Sequence, residues 1–248
     1  MRLPSLAAVS FAVAVSNAGA LTLYDPAGGL PNAQGWTTTS SAAAGSDTLV
    51  SGRLRVDTTG TGVSQHGHGR LAALDTVTGF TLQFGLRVIS ESTNSVNRAG
   101  FALLLQGQDQ SKSLELAFLD DKVWALQYSL GSPDNGFVQG ESAPLDTGSS
   151  LRNYSLTVQN NLFSLSADGQ ALFSGAMRDY PSLPGSLGTL VYNQSNFLFF
   201  GDNTSQARGV FDVASIILTP VPEPGAAALL LAGLAVVAWL RRGSARPR

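Results

Sequence analysis

The chain has no cysteine, two histidines and two lysines among its 248 residues. Missing thiols exclude a disulfide framework and a dithiol redox motif, so an exported domain of this sequence owes its stability to packing. The scarcity of basic residues excludes a second class. Arg2 and four arginines at the far end make up a third of the 15 basic residues. The 200 residues from Leu21 to Pro220 keep ten basic groups against sixteen acidic ones, a net charge of about −6. No basic patch suited to nucleic acid is present. The same stretch has no amphipathic helix of useful length, no phosphate loop and no nucleophile elbow.

What is there is most explicit at the two ends. Arg2, the apolar stretch Leu6–Val15 and the small residues Ala18-Gly19-Ala20 read as a secretory signal helix over residues 1–20, cleaved after Ala20. At the other end, Val221-Pro222-Glu223-Pro224 precedes an uncharged run, Gly225–Leu240, and then Arg241, Arg242, Arg246 and Arg248. Sixteen residues make a helix of about 24 Å at roughly 1.5 Å per residue. A hydrocarbon core is about 30 Å thick, so this transmembrane helix is short and relies on thinning or snorkelling. Trp239 sits where an interfacial aromatic belongs, and the arginines place the C-terminus in the cytoplasm. Pro222 and Pro224 bias Val221 and Glu223 towards extended backbone. A single-span anchor with a proline-containing stalk is the plain alternative.

The order of motif, short apolar helix and arginine cluster over residues 221–248 resembles the PEP-CTERM protein-sorting signal of Gram-negative bacteria. That resemblance implies Pro222, Glu223 and Pro224 as recognition motif and an exosortase-type enzyme as processing partner. It also implies an association with exopolysaccharide and biofilm matrix, and transient anchoring in the inner membrane.

Residues 21–220 read as one β-sandwich domain. Phe80, Leu82, Phe84, Leu86 and Val88 alternate with Thr81, Gln83, Gly85 and Arg87, the mark of a half-buried strand. Phe101–Gln106 is a second strand. Ser113–Phe118 and Val123–Tyr128 form a hairpin about Asp120-Asp121, and Tyr154–Val158, Phe163–Ala167 and Ala171–Phe173 a meander turned by Asn160-Asn161 and Asp168-Gly169. Asn196–Phe200 and Val210–Leu218 close the domain. Gln34–Ala44, the glycine-rich Thr59–Gly69 and Gly131–Gly148 read as loops. The class is all-β, an antiparallel sandwich. Val123–Leu126, the meander and Phe199–Thr204 resemble concanavalin A-like, laminin-G-type jelly rolls, and the closing segment is similar to choice-of-anchor surface domains. The resemblance implies that Leu21–Tyr24 neighbours Val210–Leu218.

Candidate chemistry is sparse. Glycosidases of this architecture need two facing carboxylates. Glu115 and Asp120 are five apart and fall on opposite faces of a regular strand, so no catalytic residue is assigned. His66-Gly67-His68 offers two imidazoles but reads as a solvated loop. Asp120, Asp121, Asp134, Asn135, Asp202 and Asn203 are candidate Ca2+ ligands from oxygen-rich turns, equally explained by turn chemistry. Trp36 and Tyr180 are the candidate sugar platforms, ahead of Trp124, whose strand face reads as core. The sequence therefore points to a non-catalytic exported surface or matrix protein with exopolysaccharide as candidate ligand. The alternatives are a jelly-roll glycoside hydrolase or lyase, and a structural envelope protein with no specific ligand.

Overall fold

The computed structural model describes residues 19–43, 45–129, 131–132, 136–180, 191–221, 233–234 and 237. The signal segment through Ala18, the residues Asp134, Asn135, Pro222, Glu223 and Pro224, nearly all of the 225–240 run and Arg241, Arg242, Arg246 and Arg248 lie outside them. Among the described residues no helix is long and apolar enough to cross a membrane.

Residues 20–221 make one compact unit. Its strands are β1 (Leu21–Tyr24), β2 (Thr37–Ala42), β3 (Ser46–Val50), β4 (Arg53–Asp57), β5 (Val63–Leu71), β6 (Phe80–Thr93), β7 (Phe101–Gln106) and β8 (Ser113–Phe118). They continue with β9 (Lys122–Tyr128), β10 (Phe137–Pro144), β11 (Arg152–Gln159), β12 (Leu162–Ala167), β13 (Gln170–Ala176), β14 (Phe197–Asp202) and β15 (Ala207–Pro220). The first sheet runs β13-β12-β11-β6-β15-β4-β3, with β1 also paired to β15, and the second runs β10-β9-β8-β7-β14-β5-β2. Every pairing is antiparallel. β1 lies on β15, with Leu21 opposite Leu218, as the jelly-roll resemblance implied.

The alternating face of β6 is the floor of the core. Phe80, Leu82, Phe84, Leu86 and Val88 pack with Tyr154, Leu156 and Val158 of β11 and with Phe211, Val213, Ile216 and Leu218 of β15. Phe101, Leu103, Leu105, Leu114, Leu116, Phe118, Leu198 and Phe200 of the second sheet close over them. The two-residue turns fall where expected. Asn160 and Asn161 have φ of 52° and 58°, and Asp168 and Gly169 have 49° and 79°, the twist that favours a tight hairpin.

Three segments expected as loops are strands: β2, β5 and β10. Glycine is depleted in strands, which hides β5 from a propensity reading, while β2 lacks the apolar alternation of a half-buried strand and β10 lies between turn residues and Pro144. In β5 the pattern His66-Gly67-His68-Gly69 is a period-two alternation of large and absent side chains. A Cβ on Gly67 would lie 2.4 Å from the Phe199 ring, and one on Gly69 2.4 Å from the Phe197 ring. Bare backbone on one face lets β14's phenylalanines lie across it, which is what glycine inside a strand permits. Gly67→Ala is therefore expected to destabilise the fold by about 1–3 kcal/mol through overpacking, read as a lower midpoint in chemical denaturation; an unchanged midpoint would refute the close approach.

Candidate functional site

Three places in the sandwich concentrate polar side chains. The first is the face of the second sheet turned away from the core. β7, β8 and β14 are buried on both faces. Trp124, Leu126, Phe137, Tyr180, Tyr192, Phe197 and Phe199 form a second apolar cluster there. Glu115, outward on β8, is fully buried within it. Its Oε2 accepts from Tyr192 Oη at 2.6 Å and its Oε1 from Asn203 Nδ2 at 3.0 Å. Arg98 Nη2 lies 3.6 Å from Glu115 Oε1 and donates to Asn203 Oδ1 at 2.9 Å, while its guanidinium lies 4.6 Å from the Phe137 ring centroid. Burial and the adjacent Glu115 charge push the Tyr192 hydroxyl well above its ordinary range. For Arg98 burial works the other way, but Glu115 and Tyr192 outweigh it and hold the guanidinium charged. Glu115 thus faces a cation, an amide and a phenol, and Asp120 sits in the β8–β9 turn, where its backbone carbonyl accepts from Thr147.

The second place is an open groove of about 680 Å3 on the outer face of the first sheet. Gln83, Asn153, Ser155, Ser166, Asp168 and Ser215 supply its amides, hydroxyls and one carboxylate. β15 shifts register between Val213 and Ile216. Such a bulge bends the strand and re-aims its side chains, here beside Gly85, where Ala214 approaches closely.

The third place joins the edges of the two sheets. His66 and His68 point inward from β5 and are 2% and 0% exposed. Asp47, on edge strand β3 of the other sheet, brings Oδ1 to 3.0 Å from His66 Nε2 and 3.2 Å from His68 Nε2. β2 completes the arrangement: Ser40 Oγ lies 2.6 Å from His66 Nδ1, and Thr38 Oγ1 3.3 Å from His68 Nδ1. Burial alone would raise the Asp47 carboxyl, but hydrogen bonds and charge from both histidines hold it well below the usual carboxylate range. His66-Gly67-His68 is therefore a buried strand, in contrast to the solvated loop expected from its glycines. Asp47, Ser40 and Thr38 carried no sequence signal, because they reach the histidines only through tertiary pairing.

Trp36 is 3% exposed, with its Nε1 donating to the Leu23 carbonyl at 2.9 Å and its ring against Phe200. Tyr180 is 2% exposed, and its hydroxyl donates to the Leu126 carbonyl and accepts from the Glu115 amide. Both rings are used in packing, so neither presents a face to solvent as a sugar platform. Among the described residues, one group of three or more histidine or acidic side chains has its ligand atoms within 4.8 Å of one another, and it is Asp47, His66 and His68. Asp120, Asp121 and Asp202 are not in it. Asp202 Oδ1 accepts from Thr204 N at 3.0 Å, a turn contact, and Asn203 is engaged with Glu115 and Arg98.

Residues 220–246 match the model of the PEP-CTERM protein-sorting motif. No curated protein matches the sequence. Among solved structures, a carbohydrate esterase from the Shiga toxin-encoding bacteriophage phi24B is similar at 14% identity, over 82% of this chain and 99% of that one, with a TM-score of 0.57. The carbohydrate recognition domain of Emp46p matches at 14% identity over 74% and 87% of the two chains, with a TM-score of 0.45. The VIP36 exoplasmic/lumenal domain in its Ca2+/Man-bound form matches at 10% identity over 81% and 89%, with a TM-score of 0.46. At these identities the first likeness speaks to the fold, and the other two are too remote to add to it. The chain carries a PEP-CTERM sorting motif behind an antiparallel two-sheet β-sandwich.

Asp202 yields a pH dependence. It is 1% exposed, its Oδ2 meets no hydrogen-bond donor within bonding distance among the described residues, and burial pushes its carboxyl up to about 8. The unfolded chain releases this proton near pH 3.9 while the folded one keeps it, so stability falls as pH rises from about 4 to 8, by at most about 1.4 kcal/mol per unit. Asp202→Asn is expected to flatten that slope in urea titrations at pH 5, 7 and 9; parallel slopes for both proteins would contradict it.

Proposed function

We propose that this protein is an exported, non-catalytic surface or matrix component whose β-sandwich binds polysaccharide. In this reading residues 1–20 direct export and are removed. Residues 221–248 hold the chain in the inner membrane, C-terminus in the cytoplasm, until an exosortase-type enzyme reads Pro222-Glu223-Pro224. The observation that carries the reading is the match of residues 220–246 to the sorting motif, directly after a strand that ends at Pro220.

For the ligand, the groove on the first sheet supplies the support. Amides and hydroxyls on a partly solvated strand face match the spaced hydroxyls of a sugar chain, and the groove is open to solvent. The esterase neighbour, whose substrate class is carbohydrate, is in keeping with this ligand. The Glu115 carboxylate is taken up by Arg98, Asn203 and Tyr192 in a buried network, in keeping with a structural role.

Two measurements test the proposal. Mass spectrometry of the surface product is expected to show a chain starting at Leu21 and lacking the apolar run; Ala at 222, 223 and 224 leaves that run attached. Identical termini for both would refute the role of the motif. On a polysaccharide array, Gln83→Ala with Asn153→Ala removes two hydrogen-bonding groups at about 0.5–1.5 kcal/mol each, so affinity falls about 5- to 150-fold. Equal binding by the variant would place the ligand elsewhere.

A further inference from the structure

We propose that Asp47, His66 and His68 form a binding site for one divalent transition-metal ion of the zinc class. Three ligand atoms converge here, away from the groove on the first sheet. His66 Nε2 and His68 Nε2 lie 3.0 Å and 3.2 Å from the same Asp47 oxygen. A tetrahedral ion bonded at about 2.0–2.1 Å holds its ligand atoms about 3.3 Å apart. Two of the three spacings are therefore already near those of coordinated ligands, all three ligand atoms lie within 4.8 Å of one another, and side-chain rotations would admit an ion between them.

The surroundings are those of a ligand set. Each imidazole is fixed at its remote nitrogen by a hydroxyl, Ser40 on His66 and Thr38 on His68. Such outer partners orient metal-bound histidines and raise their basicity. A hydroxyl both donates and accepts, so Ser40 and Thr38 serve a ring whose Nε2 carries either a proton or a metal, without rearrangement. The rings are buried, whereas the Asp47 side chain is 16% exposed and Ser40 and Thr38 are exposed on edge strand β2, which gives an ion a way in.

The donor set chooses the metal. Two imidazoles and one carboxylate suit zinc and its transition-metal neighbours. Calcium takes six to eight oxygens. Three protein ligands leave a coordination position for water or a ligand oxygen. The ion would also tie β3 of one sheet to β5 of the other, a cross-link that a chain without cysteine cannot make by disulfide.

The test uses the untagged full chain in detergent, stripped with a chelator and titrated with Co2+ and then Zn2+. The two histidines of the site are the only ones in the chain and there is no cysteine, so background from other soft ligands is small. Expected are one Co2+ per chain with the visible absorption of a four- or five-coordinate ion, its displacement by an equivalent of Zn2+, and a raised melting temperature. Asp47→Asn keeps an acceptor for both rings and is expected to abolish the stoichiometric binding. Should it fail to fold, Ser40→Ala on the exposed edge decides, with an expected affinity loss of about 10- to 100-fold. A wild-type chain that binds no Co2+ or Zn2+, or folded variants that bind as tightly as the wild type, would overturn the assignment and leave the cluster as a hydrogen-bonded clip.

Discussion

The long antiparallel ladder between β6 and β15 is the contact on which the rest of the molecule is hung. It runs from Phe80 opposite Pro220 to Thr93 opposite Ala207. β15 also pairs with β4 at Val210–Val213 and with β1 at Ile216–Leu218. The chain's first strand, its last strand and the floor of the core are thereby fixed together. β4 in turn carries β3, and β3 holds Asp47 against histidines of the opposite sheet. At its far end the ladder stops at Pro220, and the Val221 amide donates to the Gly79 carbonyl. The sorting motif therefore begins where the ladder ends, and the backbone entering it is still held by the sheet.

The second sheet is built differently from the first. The first alternates between an apolar inner face and a polar outer one, and its outer face is free to form an open groove. The second is buried on both sides over β7, β8 and β14, and this places Glu115 and Arg98 out of water. Removing two charges from solvent is costly unless their hydrogen-bonding groups are met. Asn203 and Tyr192 meet most of them, bonding each other as well as the ion pair. A network of this kind fixes one arrangement of β8, the β6–β7 connection and the segment leaving β14, because any shift leaves a buried charge unpaired.

Legibility followed the range of the interactions. The strands of β6, β8, β9, β11 and β12 and the turns at Asn160-Asn161 and Asp168-Gly169 were readable, since a half-buried strand and a tight hairpin are written in neighbouring residues. The loop reading of residues 59–69 differs from the structure because glycine carries no side chain to show a face, and that of 131–148 because Pro133, Asp134-Asn135-Gly136 and Pro144 bracket a short strand with turn residues. Yet His66-Gly67-His68-Gly69 had the right period, and counting alternation rather than propensity would have found β5. Trp36 and Tyr180 were misplaced for a related reason. Each lies in an irregular segment, where exposure is the default, and only the fold shows that Trp36 caps Phe200 and that Tyr180 covers the outer face of β8.

By itself the sequence determined the all-strand class, the placement of the first strand beside the last, and the sorting motif after Pro220, because each rests on a contiguous pattern or a known order of segments. Only the tertiary structure decided what the polar residues do. Asp47 and His66 are 19 residues apart in the chain and meet because edge strand β3 of one sheet lies against β5, the strand next to the edge, of the other. Glu115 meets Asn203 because β8 and β14 flank β7 in one sheet and the chain leaving β14 returns to the outer face where Glu115 points. Such meetings depend on strand order and register, and these are set by the packing of whole sheets.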